Sequence, residues 1–300
     1  MYLPEAVRSF ADYLKYQKRY SAHTLRSYTD DLLQFCKYLE QEFDLANVQL
    51  SELTPSIIRS WLASMKDGDA LGSRSINRKI SSLKSFFKYH IRMGSLAQTP
   101  MTQVSSPKVP KRMPVFVKEE ETSNLLKHVE FTDDWQGRTD RLLIELLYNT
   151  GLRSAEVIAL RESQVDESRK IIKVLGKGNK ERIIPLSPEL IKTIRSYITE
   201  KKEREAEQAD QLLVTEGGKA LYAGYVYRAV KKYLKLVTTV QKKSPHVLRH
   251  TFATHLLNNG ADLNSVKELL GHSSLAATQV YTHHTIEKLK DVHKKAHPKA

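Results

Sequence analysis

Through the first third of the chain, apolar residues fall three and four positions apart, the spacing that keeps side chains on one face of a helix. A helix opens at Pro4 and runs to about Lys18. Ser21, a residue suited to capping, precedes Leu25, Tyr28, Leu32, Phe35 and Leu39 at helical spacing. Thr54 and Pro55 open a third helix with Ile57, Ile58, Trp61 and Leu62 on its apolar side. A fourth starts at Ser73 or Ser75 and carries the stripe Ile76, Ile80, Leu83, Phe87 and Ile91. Residues 1–94 therefore read as a helical domain.

The periodicity then stops. Pro100, Pro107, Pro110 and Pro114 punctuate a stretch that reads as an extended linker over 95–116. A second domain, 117–300, opens with helices over Glu119–Val129 and Arg138–Tyr148, breaks at Thr150-Gly151-Leu152-Arg153, and resumes as a short helix over Ser154–Leu160. Two β-rich runs flank Gly176-Lys177-Gly178-Asn179, a strong hairpin signal. Helices follow over Pro188 to about Arg204, Gly224 to about Lys235, and from Pro245 to Asn258-Asn259-Gly260. A last one, from Asp262 through Val266, Leu269 and Leu270, stops at Gly271. Ile286, Leu289 and Val292 suggest a short amphipathic tail helix. The fold class is mainly α with a small antiparallel β-sheet.

Charge narrows the partners. Lys and Arg number 48 and Asp and Glu 34, a formal net charge of +14 over 300 residues. Such a bias suits a polyanion. Nucleic acid fits better than a membrane, because no segment approaches the ~20 apolar residues of a spanning helix. The N-terminal residues are interrupted by charges and lack a signal-peptide core. Cys36 is the sole cysteine, which excludes an internal disulfide and fits a reducing cytoplasm.

Several residues carry chemistry. His246 and Arg249, three apart, share a helix face. Arg153 begins a helix, where a cation is poorly placed unless it receives an anion, and Glu156 can hold it by a charge-assisted bond. Lys177 sits between two glycines on the hairpin turn, where a Walker loop is ruled out by spacing. His246, His250 and His255, taken singly, read as ordinary surface or core residues, and no histidine spacing marks a metal site. Arg74, Arg78, Lys79, Lys84 and Lys88 occupy much of the fourth helix's remaining surface, a solvated face or a DNA-backbone face.

TGLRSAEV, GKGNK, HVLRHTFATHLL, LLGHSS and VYTH, in this order, resemble the motifs of the tyrosine, or phage-integrase-type, recombinases. SAHTLRSYTDDLLQFCKYL and the final His297-Pro298-Lys299-Ala300 are most similar to the Xer group. Val157 stands where leucine is usual, and Ala277 lies in a segment often richer in Ser and Thr. Neither position carries a reacting group. The resemblance implies a SAM-like, helical core-binding domain ahead of an α+β catalytic domain. It implies Arg153, Lys177, His246, Arg249 and His272 as the phosphate-activating set and Tyr281 as the nucleophile. No metal, nucleotide or other cofactor is required. Double-stranded DNA is the implied partner, with four subunits acting through a Holliday junction, and the tail helix is expected to dock on a neighbouring subunit. A second Xer-type recombinase and a DNA translocase are further partners that the resemblance leaves open.

Two other classes compete with a recombinase. A type IB topoisomerase shares the tyrosine chemistry, but the small helical N-terminal domain and the Xer-like ending argue against it. A DNA-binding protein with a dead site is opposed by the complete residue set. Within recombinases, chromosome-dimer resolution leads over a mobile-element integrase or an invertase.

Overall fold

Helices form where the apolar spacing places them in both units of the chain, Met1–Arg112 and Met113–Ala300. The structure, a computed structural model, describes residues 1–67, 71–109, 115–176, 181–204, 209–271 and 294–296. In the first unit, α1 (Leu3–Asp12) continues as a π turn over Tyr13–Gln17 and is followed by α2 (Ala22–Leu39), α3 (Pro55–Asp67) and α4 (Ser73–Arg92). Ser21 caps α2, its hydroxyl accepting from Thr24 N at 3.2 Å. Phe10, Leu32, Phe35, Trp61, Leu83, Phe86 and Phe87 fill the core.

Two expectations for this unit are corrected. Lys79 is 2 % exposed and belongs to no DNA-facing surface. Its position, three after Ile76, lies on the buried stripe, and its ammonium meets Asp31 of α2 at 2.9 Å. Asp31, itself 1 % exposed, also accepts from Arg78 Nη1 at 2.6 Å and Ser82 Oγ at 2.8 Å. Those extra bonds offset the desolvation of a buried pair. The same stripe turns to His90, which is buried, and leaves Ile91 37 % exposed. The second correction concerns the linker over 95–116. Met101 and Val104 are buried in the first unit's core, and Asn77 Nδ2 donates to Pro107 O at 2.9 Å. Two apolar side chains three apart were enough to seat the proline-rich segment against α4 as far as that contact.

The second unit comprises α5 (Glu119–Lys127), α6 (Trp135–Thr150), α7 (Ser154–Ala159), β1 (Val165–Asp166), β2 (Ile171–Leu175), β3 (Glu181–Pro185), α8 (Pro188–Glu203), α9 (Ala223–Val237), α10 (Pro245–Asn258) and α11 (Leu263–Leu270). The strands form an antiparallel sheet in the order β1-β2-β3, with Ile172 opposite Ile184 and Val174 opposite Arg182. The expected hairpin is β2–β3; β1 is an addition to it. α6 is the hub, with Leu142, Leu143, Ile144, Leu146 and Leu147 all inaccessible and α8, α9 and α10 packed around it. A helix apolar on so many sides has to be covered on each of them.

α6 ends at Gly151, whose φ of +61° is left-handed. A Cβ there would stand 2.5 Å from Phe252 Cδ1 on α10, so glycine is required by both conformation and space. α10 is tied down further by His255, which bridges Tyr148 OH (3.1 Å) and Val117 O (2.9 Å) and is a core histidine. Asp262 caps α11, accepting from Ser265 N at 3.0 Å, and Gly271 ends it at φ +62°. Of the tail, Lys294–Ala296 is helical. Ala296 packs with Phe252, Leu256 and Leu269 of its own chain, and its carbonyl accepts from Asn259 Nδ2 at 3.0 Å. Ile286, Leu289 and Val292, on which the expected tail helix was placed, lie outside the described residues.

Candidate active site

The site is built on one carboxylate and the end of one helix. Glu156 sits at the third position of α7, where a glutamate reaches back to the capping residue's backbone. Its Oε2 accepts from Arg153 N at 2.7 Å, and its Oε1 from Arg153 Nη1 at 2.7 Å. Arg182 of β3 grips the same carboxylate with both terminal nitrogens, at 2.9 and 2.8 Å. Arg249 of α10 lies 3.9 Å from Glu156 Oε2. Burial alone would raise the Glu156 acid, yet the Arg182 fork and then Arg153 hold it down at about 2.

The end of α11 supplies the other half. The last carbonyls of a helix have no intrahelical donor and form the negative end of its dipole. Here three arginines take them in succession. Leu269 O accepts from Arg182 Nε at 2.8 Å, Leu270 O from Arg249 Nη2 at 2.5 Å, and Gly271 O from Arg153 Nη2 at 3.2 Å. Arg249 Nη1 donates to Gly151 O, which joins the end of α6 to the same cluster. Three guanidiniums share one carboxylate, a formal excess of two positive charges. The strain shows on Arg249, which burial, Arg153 and Arg182 bring down to about 10. It remains charged at neutral pH, in a place short of negative charge.

The expected site residues are distributed as follows. Arg153 and Arg249 converge on Glu156 and on the α11 end. His246 lies exposed in the first turn of α10, one turn before Arg249. Lys177, His272 and Tyr281 lie outside the described residues; β2 ends two residues before Lys177, and Gly271 directly precedes His272. Arg74 and Lys84 are exposed on α4, while Arg78 is half-exposed and shared with Asp31.

Two features escaped the reading of the sequence. Arg182 is 3 % exposed. Strand alternation carried the signal, since Arg182 shares the inward face with Ile184 and an arginine there needs a buried anion. The other is a basic face on α9, with Arg228, Lys231, Lys232 and Lys235 exposed beside Tyr222 and Tyr227. Residues 217–261 hold eight Lys and Arg and no Asp or Glu, a bias visible in the sequence.

Comparison with known proteins bears on the family of the whole chain. Residues 116–288 match the Phage integrase family, and residues 7–94 match its N-terminal SAM-like domain. The chain is 36 % identical over 316 residues to Tyrosine recombinase XerC of Chlorobaculum parvum, covering 97 % of this chain and 94 % of that protein. It is 38 % identical over 292 residues to Tyrosine recombinase XerC of Staphylococcus aureus, covering 97 % and 96 %. In fold it is similar to XerH site-specific recombinase bound to palindromic difH substrate, in a post-cleavage complex, with a TM-score of 0.72, 22 % identity, and 95 % and 82 % of the two chains covered. Among the described residues no helix is long and apolar enough to cross a membrane. The match over most of the second unit, together with relatives 36 % and 38 % identical over nearly the full length, places this chain in the phage integrase family of tyrosine recombinases.

Proposed function

We propose that the protein is a site-specific DNA recombinase that cuts and rejoins strands through a 3′-phosphotyrosyl intermediate. The observation that carries the reading is the cluster of Arg153, Arg182 and Arg249 around a single carboxylate, an excess of positive charge that a further anion would balance. A phosphodiester supplies that anion. Arg153 and Arg249 grip its two non-bridging oxygens and stabilise the charge that grows on them in the pentavalent transition state. Tyr281 is the nucleophile. Its hydroxyl, with an ordinary pKa of about 10, must lose a proton as it bonds to phosphorus. His246 assists that transfer, His272 hydrogen-bonds the phosphate, and Lys177 protonates the departing 5′ oxygen. The O–P bond to the 5′ oxygen breaks as the tyrosyl–P bond forms, leaving a free 5′ hydroxyl. Bond energy is kept in the phosphotyrosine, so a 5′ hydroxyl from another duplex reverses the step.

The exposed cations of α9, with Arg74 and Lys84 of α4, supply phosphate contacts along double-stranded DNA. Four subunits on two synapsed sites exchange strands through a Holliday junction, and a second Xer-type recombinase and a DNA translocase are compatible participants. Likeness to the two XerC proteins supports chromosome-dimer resolution in the cytoplasm as the cellular role. The test is to incubate the protein with fragments of its source genome and look for two products. A covalent protein–DNA band with recombinants between two separate sites supports the proposal. A band with relaxation of supercoils but no recombinants indicates a topoisomerase, and no band indicates a DNA-binding protein alone.

A further inference from the structure

We infer that Arg182 is a positioning residue for strand cleavage: it ties the corner at the end of α11, from which the chain leads to His272 and Tyr281, to the carboxylate that orients Arg153. The inference rests on the recombinase reading above. All three arginines bond the carbonyls of that corner, but they differ in what they must do next. Arg153 and Arg249 have to turn donors toward the phosphate. Each donor they now give to Gly271 O or Leu270 O is one that the reaction competes for. Arg182 has no such second duty. Nε donates to Leu269 O at 2.8 Å, and each terminal nitrogen gives a hydrogen to Glu156, at 2.9 and 2.8 Å. At 3 % exposure it is sealed from DNA. It is therefore the arginine of the three that can go on holding the corner while the other two engage the substrate.

Three consequences follow from its bonds. The fork on Glu156 fixes the carboxylate in the orientation that accepts Arg153 N and Nη1, so Arg153 is presented by a rigid partner. The bond from Nε fixes Leu269 O, two residues before Gly271, whose left-handed turn sends the chain onward. Space is tight at that turn, since a Cβ on Gly271 would lie 3.0 Å from Arg182 Cδ. Arg182 is also paired across the hairpin with Val174, so the strand leading toward Lys177 shares the same anchor. A lysine has one compact ammonium and cannot present a planar fork to a carboxylate and a third donor to a carbonyl at once. Arg182→Lys therefore keeps the buried charge paired and gives up the tether.

The experiment uses the full-length protein and a nicked duplex made from a genomic fragment that the wild-type protein captures covalently. Adduct formation is followed in a single turnover at saturating duplex, with affinity by gel shift and stability by thermal unfolding. Arg182→Lys is expected to unfold close to wild type and bind within about twofold, yet cleave at least about tenfold more slowly, the scale of a misplaced reacting group. A second comparison covers a lysine variant that folds poorly. Glu156→Gln with Arg182→Met removes both members of the Arg182–Glu156 pair, and it is expected to cleave at least about tenfold more slowly than Glu156→Gln alone, in which Arg153 and Arg249 have lost the same carboxylate. Wild-type cleavage by Arg182→Lys, or equal rates for the double variant and Glu156→Gln, would overturn the inference and reduce Arg182 to a counter-ion. If the wild-type protein captures no fragment, the recombinase reading fails first and takes this inference with it.

Discussion

Arg249→Lys separates charge from geometry at the centre of the cluster. Arg249 now spans Gly151 O and Leu270 O with its two terminal nitrogens. A single lysine nitrogen reaches one of them and leaves a buried carbonyl unpaired, at about 1–3 kcal/mol. For a domain of this size that lowers the melting temperature by about 2–4 °C per kcal/mol. The effect on cleavage is larger, because a preorganised donor to a transition-state oxygen is worth about 2.7–4 kcal/mol, or at least about 10²-fold in rate. There is also a signature in pH. Burial, Arg153 and Arg182 bring Arg249 down from the ordinary arginine range to about 10, where it stays charged at neutral pH. The same burial and neighbouring cations would lower a lysine at this position too, and a lysine starts from a lower ordinary value than an arginine. Cleavage by Arg249→Lys should therefore fall off at a lower pH than cleavage by the wild type. The assay is single-turnover adduct formation at saturating DNA across a pH series. Wild-type rates for the lysine variant would show that the fork is not aimed at the scissile phosphate.

Other consequences are independent of that residue. Glu156 has an ordinary value of 4.5 and is held at about 2 in the fold, so it stabilises the protein above pH 4.5 and gives that up as pH falls toward 2. The loss amounts to about 3 kcal/mol, and acid unfolding of Glu156→Gln, already weaker at neutral pH, should show a shallower dependence over that window. Asp31→Ala strands Lys79 at 2 % exposure and should cost the first unit about 3–5 kcal/mol, measurable by chemical denaturation. Arg74→Ala and Lys84→Ala should each lower the salt dependence of DNA binding by about one unit of slope without changing the preferred sequence.

How far the sequence could be read depended on whether the partner of each residue was local. Helices α2 and α11 were legible because their stripes and caps, Ser21 and Asp262, lie within one element. The β2–β3 hairpin was legible from its glycine turn, and the Arg153–Glu156 pair from a spacing of three. What failed was non-local. Lys79 looked like one more surface cation on α4, although its place beside Ile76 and Ile80 marked it for burial; what makes burial tolerable is Asp31, 48 residues earlier. Arg182 is understood only once β3 has been brought to α7 and α11, elements that no local spacing connects. The proline-rich stretch has no periodicity, and only the core of the first unit gives Met101 and Val104 somewhere to go. Of the chemistry, the residue types were plain from their motifs, whereas the shared carboxylate and the carbonyls of α11 that gather three arginines depend on the assembled fold.

The most direct test of the account is to locate the covalent bond. The wild-type protein is trapped on a nicked duplex from its own genome, digested with protease and nuclease, and the peptide that retains a nucleotide is sequenced by mass spectrometry. The account predicts a phosphodiester on Tyr281 joined to the 3′ end of the cut strand, a free 5′ hydroxyl, and no adduct from Tyr281→Phe, which should still bind the duplex. A nucleotide on any other residue, a 5′ linkage, or an adduct formed by Tyr281→Phe would contradict it.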